Sequence, residues 1–187
     1  SNQNGDRLPP PIANNWSGQG PAFSSASRPE TRSPAKKVSP YVRTLAHDPE
    51  SYVARTTLFN AIMYAEGGLP RADRELGALA ASQVNGCRYC ANVHARQHIR
   101  LSGSSDVIAA LWTEDRAALS ARDAAIVAFA EALTATPPNA DKSHIAALKA
   151  AGLEPFEIID LIHAIAIFGW ANRLMHPLGH ADNEDKR

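Results

Sequence analysis

Cysteine is nearly absent from this chain of 187 residues: there are two, Cys87 and Cys90. That is too few for the disulfide framework of a small secreted domain. Aromatic residues make up 6%, and no stretch alternates apolar and polar residues as a half-buried strand must, which argues against a sheet. Charge of one sign is missing too. Lys plus Arg and Asp plus Glu both number 19, mixed along the chain, so the sequence has neither the basic footprint of a nucleic-acid binder nor a membrane-surface patch. The N-terminus lacks a continuous apolar signal core, and no apolar run is expected to span a bilayer. These absences lead to the expectation of a cytoplasmic protein with no nucleic-acid and no membrane partner.

What is present is alanine, leucine and isoleucine at helical spacing, with apolar residues at 44% of the chain, enough for one core. Three regions are expected. Residues 1–40, rich in Pro, Ser, Gly and Asn, form an extended or flexible arm; Ile12, Trp16 and Phe23 are anchors if it wraps a neighbouring subunit. Residues 41–180 form the helical domain, and 181–187 a charged tail. Within the domain, Asp48-Pro49 reads as an N-cap with proline at the first helical position, opening a helix that Gly67-Gly68 ends. Pro70 opens a helix over 71–84, stopped by Asn85-Gly86, and Cys87 starts another that runs to about Leu101. A helix from Asp106 to about Leu119 follows, then one capped by Ser120 and reaching Thr134. A short helix over 142–151 precedes a long one from Pro155 to about Met175. That last helix is apolar over most of its circumference, so it is expected to be buried in the domain or in a homo-oligomer contact. The fold class is all-α.

The chemistry concentrates between Glu75 and His94. Cys87 and Cys90 stand at i,i+3 on a helix start, where unsatisfied N–H groups favour a thiolate, and His94 lies one turn beyond on the same face. If the helices before and after the Asn85-Gly86 turn run antiparallel, a rise of ~1.5 Å per residue puts Glu75 about 14 Å back from the turn and His94 about 10 Å forward of it. Carboxylate and imidazole then stand near the same level, the layout of a carboxylate–base–thiol relay. Two other readings use the same residues. Cys87, Cys90 and His94, with Glu75, could ligate a structural zinc, or the cysteines could be two small buried residues. Of the remaining histidines, His98 is expected on the surface and His163 buried in the last helix; Arg173 is a candidate to pair with a core carboxylate.

Glu75, eleven residues, Cys87-x-x-Cys90, three residues, His94 matches in type and spacing the pattern of the AhpD-like branch of the carboxymuconolactone decarboxylase family. The lead-in Leu69-Pro70-Arg71-Ala72-Asp73-Arg74-Glu75-Leu76 and the later Asn172-Arg173-Leu174 resemble its peroxidase-related members, and the resemblance covers roughly 41–179. It implies an AhpD-like helical bundle that forms homo-oligomers and reduces hydroperoxides through a dithiol, with no cofactor and no metal, recharged by a thiol or protein reductant. It also implies roles: Cys90 attacks and becomes a sulfenic acid, Cys87 resolves it as a disulfide, and Glu75 with His94 relays protons. The sequence departs from the best-known form of the pattern at Tyr89, where a second histidine stands; tyrosine can hydrogen-bond but is no base near neutral pH.

Overall fold

A computed structural model describes residues 40–178, which form eight α-helices and no strand. The expected arm, its anchors Ile12, Trp16 and Phe23, and the charged tail lie outside the described residues. In chain order the helices are α1 (Pro40–Leu45), α2 (Pro49–Met63), α3 (Arg71–Val84), α4 (Arg88–Ser102), α5 (Asp106–Trp112), α6 (Ala121–Thr134), α7 (Lys142–Ala150) and α8 (Pro155–Leu178).

Local sequence sets most of these boundaries. Asp48 accepts from the Ser51 N–H at 3.2 Å and Ser120 from the Asp123 N–H at 3.1 Å, each satisfying one of the free donors of a helix start. α3 ends in a Schellman motif: Gly86 takes φ +67°, its N–H donates to Gln83 O, and the Cys87 N–H donates to Ser82 O at 2.9 Å. Cys87 is thus both the last residue of that motif and the N-cap of α4, which fixes the turn between the two helices. Two expected helices are shorter. α2 stops at Met63 instead of at the glycine pair, and the segment from Asp106 breaks after Trp112. There Glu114 adopts φ +58°, a left-handed conformation that no α-helix carries, and only a 3₁₀ turn at Arg116–Ala118 follows.

The centre of the domain is α3, whose residues from Asp73 to Ser82 are all buried as it packs against α4, α8 and α6. Gly77 allows the approach of α8, because a Cβ there would stand 2.8 Å from a Leu161 methyl and 3.3 Å from an Ile165 methylene. Gly77→Leu is therefore expected to lower unfolding stability by about 1–3 kcal/mol through overpacking. Equilibrium urea denaturation reads this, and an unchanged midpoint would contradict the close α3–α8 contact.

α8 corrects two expectations. Its 24 residues, with a stretch of mean hydropathy 1.3, are long and apolar enough to cross a membrane by length and composition, although half of that stretch is packed inside the domain. It is also two-faced. Ile158, Leu161, Ile165, Phe168 and Met175 are buried, whereas Phe156, Ile159 and Trp170 are exposed. His163 lies on the exposed face, not in the core.

Candidate active site

The α3–α4 turn aligns the two helices so that Glu75 Oε2 accepts from His94 Nδ1 at 2.6 Å, with both side chains almost wholly buried. Glu75 Oε1 is taken by Arg71, one turn earlier on α3, whose Nε donates at 2.7 Å. The guanidinium of Arg71 is itself stacked over the Tyr64 ring, 4.0 Å from its centre. Burial pushes the Glu75 carboxyl up, but His94 and Arg71 together outweigh it and hold it below the usual carboxylate range. Glu75 is therefore a charged acceptor for both neighbours, and with Nδ1 committed to it His94 has Nε2 left for proton transfer. The edge of Phe168 from α8 closes one side of the imidazole, with ring centres 4.3 Å apart.

Cys87 and Cys90 are both buried and both reduced. They form a small apolar cluster with Met175 against Tyr41 and Tyr89, apart from the main core. The two sulfurs are near enough to share a proton. The Cys90 thiol, followed by the Cys90 amide N–H, the His176 imidazole and the Asn172 amide, lowers the Cys87 pKa from 9.0 to about 6 against the effect of burial. Cys90 moves the opposite way, raised by its bond to Cys87, by burial and by the Cys87 charge. The first thiolate of the pair thus rests on Cys87 with Cys90 as its proton donor.

Asn172 joins the dithiol to the core. It is fully buried on α8, donates to Ser82 Oγ at 3.2 Å, and accepts from Asn85 Nδ2 at 3.1 Å. His176, one turn further on, reaches the Asn85 carbonyl oxygen at 2.6 Å. The end of α8 thereby clasps the α3–α4 turn that carries the cysteines. Arg173, between them, points outward and donates to the Gly169 carbonyl at 2.6 Å rather than to a core carboxylate. His98 is buried, not a surface residue, with Nδ1 3.0 Å from the Ala72 carbonyl oxygen. Sequence reasoning missed Arg71, Asn172 as a ligand of the thiols, and His176; the Arg71–Glu75 spacing of four was the one local signal among them. For the zinc reading, no group of three or more His, Cys, Asp or Glu side chains converges on a metal position among the described residues.

Residues 49–135 match the family model for the carboxymuconolactone decarboxylase family, spanning α2 to α6 and including Glu75, Cys87, Cys90 and His94. That stretch, just under half of the chain, is thus similar to the carboxymuconolactone decarboxylase family. Solved structures agree with this placement. An uncharacterized peroxidase-related protein from Silicibacter sp. TM1040 is 26% identical, covering 77% of this chain and 76% of that one with a TM-score of 0.67. An alkylhydroperoxidase AhpD core protein, an uncharacterized peroxidase-related protein from Ralstonia eutropha JMP134, is 25% identical over 79% and 78%, with a TM-score of 0.69. The debrominase Bmp8 shares the fold at 24% identity, 79% and 78% coverage and a TM-score of 0.68. A search of curated proteins gives no match. The described helices of this chain thus have an AhpD-like fold, one that the debrominase Bmp8 shares.

Proposed function

We propose that the protein is a thiol-dependent oxidoreductase that reduces hydroperoxides by cycling Cys87 and Cys90 between dithiol and disulfide. The observation that carries this reading is the pairing of two buried, proton-sharing cysteines with a Glu75–His94 pair on the same α3–α4 unit. The zinc reading needs a third ligand converging on the two cysteines, which no group among the described residues supplies, whereas a thiol of lowered pKa next to a second thiol is what a dithiol cycle uses.

The cycle balances as follows. Transfer of the shared proton from Cys90 to the resting Cys87 thiolate leaves the Cys90 thiolate, which attacks the distal oxygen of the hydroperoxide. An S–O bond forms, the O–O bond breaks, and the alkoxide leaves with its electron pair. His94 gives that alkoxide a proton from Nε2 while Glu75 holds the ring, and the ring then recovers a proton from solvent. The Cys87 sulfur then attacks the Cys90 sulfenic acid; its proton leaves with the hydroxyl as water, and the disulfide forms. The net change is dithiol plus hydroperoxide to disulfide, alcohol and water. A dithiol reductant, small molecule or protein, returns the two electrons by thiol–disulfide exchange. The exposed apolar face of α8 supports a homo-oligomer, and cytoplasmic reducing conditions suit a cysteine pair that must be re-reduced.

The test is stoichiometric. Reduced protein titrated with cumene hydroperoxide should lose both thiols per equivalent and gain a Cys87–Cys90 disulfide by peptide mass spectrometry. Thiols that survive the titration would overturn the peroxidase reading. A parallel titration with a small-molecule disulfide separates peroxide reduction from general thiol–disulfide exchange, whose rate would then exceed that with hydroperoxide.

A further inference from the structure

Behind Tyr41, which packs against the dithiol, stands a cation that the relay does not use. Arg55, on α2, is far in sequence from both cysteines, yet its guanidinium donates to the Tyr41 hydroxyl at 3.3 Å. The Tyr41 ring belongs to the cluster around Cys87, Cys90 and Met175 and stacks obliquely with Tyr89, ring centres 6.1 Å apart. The same guanidinium lies over the Phe59 ring, 4.0 Å from its centre, and 5.5 Å from that of Tyr41, so two aromatic faces fix its position. We propose that Arg55 is a positioning residue of the dithiol site, held by Tyr41 and Phe59 so that its charge stabilises the thiolate of Cys90.

Three observations converge on this role. Arg55 lowers the pKa of Cys90, against the bond to Cys87 and the burial that raise it. Tyr41, whose own hydroxyl is pushed up chiefly by burial, stays neutral and serves as an acceptor for Arg55 instead of competing as an anion. The Arg55 Nε–H is buried and makes no hydrogen bond among the described residues, so the guanidinium keeps one donor in reserve for an incoming acceptor. The other groups at the dithiol act elsewhere: His176 on Cys87, and Asn172 on both thiols as a neutral amide. Arg55 brings a full positive charge to the Cys90 side of the pair. On the reading given above, it would favour the very tautomer from which Cys90 attacks.

The test needs no hydroperoxide, so it succeeds or fails independently of the peroxidase reading. In a Cys87→Ser background Cys90 is the single thiol, and its alkylation by iodoacetamide at pH 7 reports its thiolate fraction. Arg55→Met keeps an unbranched side chain on α2 next to Phe59 and removes the charge. It should slow alkylation about tenfold, the equivalent of one pKa unit. Arg55→Lys should restore the rate to within about threefold of the Arg55 protein. Circular dichroism and a thermal melt establish that each variant is folded. An Arg55→Met protein that is folded and alkylated at the unaltered rate would overturn the proposal. So would a slowed rate that lysine does not rescue, because that marks a loss of packing and not of charge.

Discussion

Cys87→Ser protein treated with one equivalent of hydroperoxide should stop at a sulfenic acid on Cys90, trapped by dimedone as a single adduct at that residue. Cys90→Ser should lose catalytic turnover by at least about 10³-fold, the scale expected when a nucleophile is removed. The asymmetry follows from the roles. Without Cys87 the S–O bond can still form but nothing adjacent displaces the hydroxyl; without Cys90 the sulfur next to His94 on the face of α4 is gone. The pH dependence has a defined sign. Cys87 titrates at about 6, so the pair carries its thiolate above that pH, and single-turnover oxidation of the intact protein should rise with pH through about 6. Cys87→Ser removes that limb. Because the folded pKa is depressed, the Cys87 ionisation also adds stability, fully present above the unfolded value of 9.0 and lost as pH falls through about 6. A dimedone adduct on Cys87 in the Cys90→Ser protein, with turnover retained, would reverse the two roles.

The sequence made the local half of this site readable. Pro70, the Asn85-Gly86 stop and the Cys87 start are chemical punctuation, and the structure uses each one; helical rise across that turn was enough to bring Glu75 level with His94. What it hid is long-range. Asn172 and His176 act on the dithiol from α8, some ninety positions later, and Tyr41 packs against it from α1 while holding Arg55 of α2. No periodicity encodes such pairings, since each depends on how whole helices pack. The same reason explains His98 and His163. Both sit on helices at positions whose exposure is decided by a neighbour, α3 covering the first and nothing among the described residues covering the second. The α5 region failed differently: its composition suits a helix, and the left-handed Glu114 interrupts it without a glycine to announce the break.

Arg74 is where a single change should do the most damage to the fold that presents the site. It precedes Glu75 on α3 and is 3% exposed. Its guanidinium donates to the carbonyl oxygens of Ile62 at 3.2 Å, Ala65 at 2.9 Å and Gly67 at 2.6 Å, and lies 3.6 Å from Asp160. Ile62 belongs to the last turn of α2, where carbonyls lack helical partners, so one side chain satisfies a helix end and the loop after it. Asp160 completes the clamp by accepting from the Leu69 N–H at 2.9 Å, and Gly68 fits beneath because a Cβ there would collide with the Asp160 carboxylate. Arg74→Met keeps the stem but takes the buried guanidinium away from three carbonyls along the half-exposed end of α2 and the turn after it, and from one partly exposed carboxylate. The expected loss is about 1.5–3 kcal/mol, the range for hydrogen bonds to a charged group. Asp160→Asn should cost much less, since an amide oxygen still accepts from Leu69 and the residue is partly exposed. Urea denaturation of the two variants decides the matter: a loss below about 1 kcal/mol for Arg74→Met would mean that water replaces the guanidinium at those carbonyls, and that the loop does not depend on it. With the loop released, the first turn of α3 loses its anchor, and Arg71 and Glu75 lose their fixed approach to His94. Arg74→Met should therefore depress hydroperoxide turnover even under conditions where the variant remains folded.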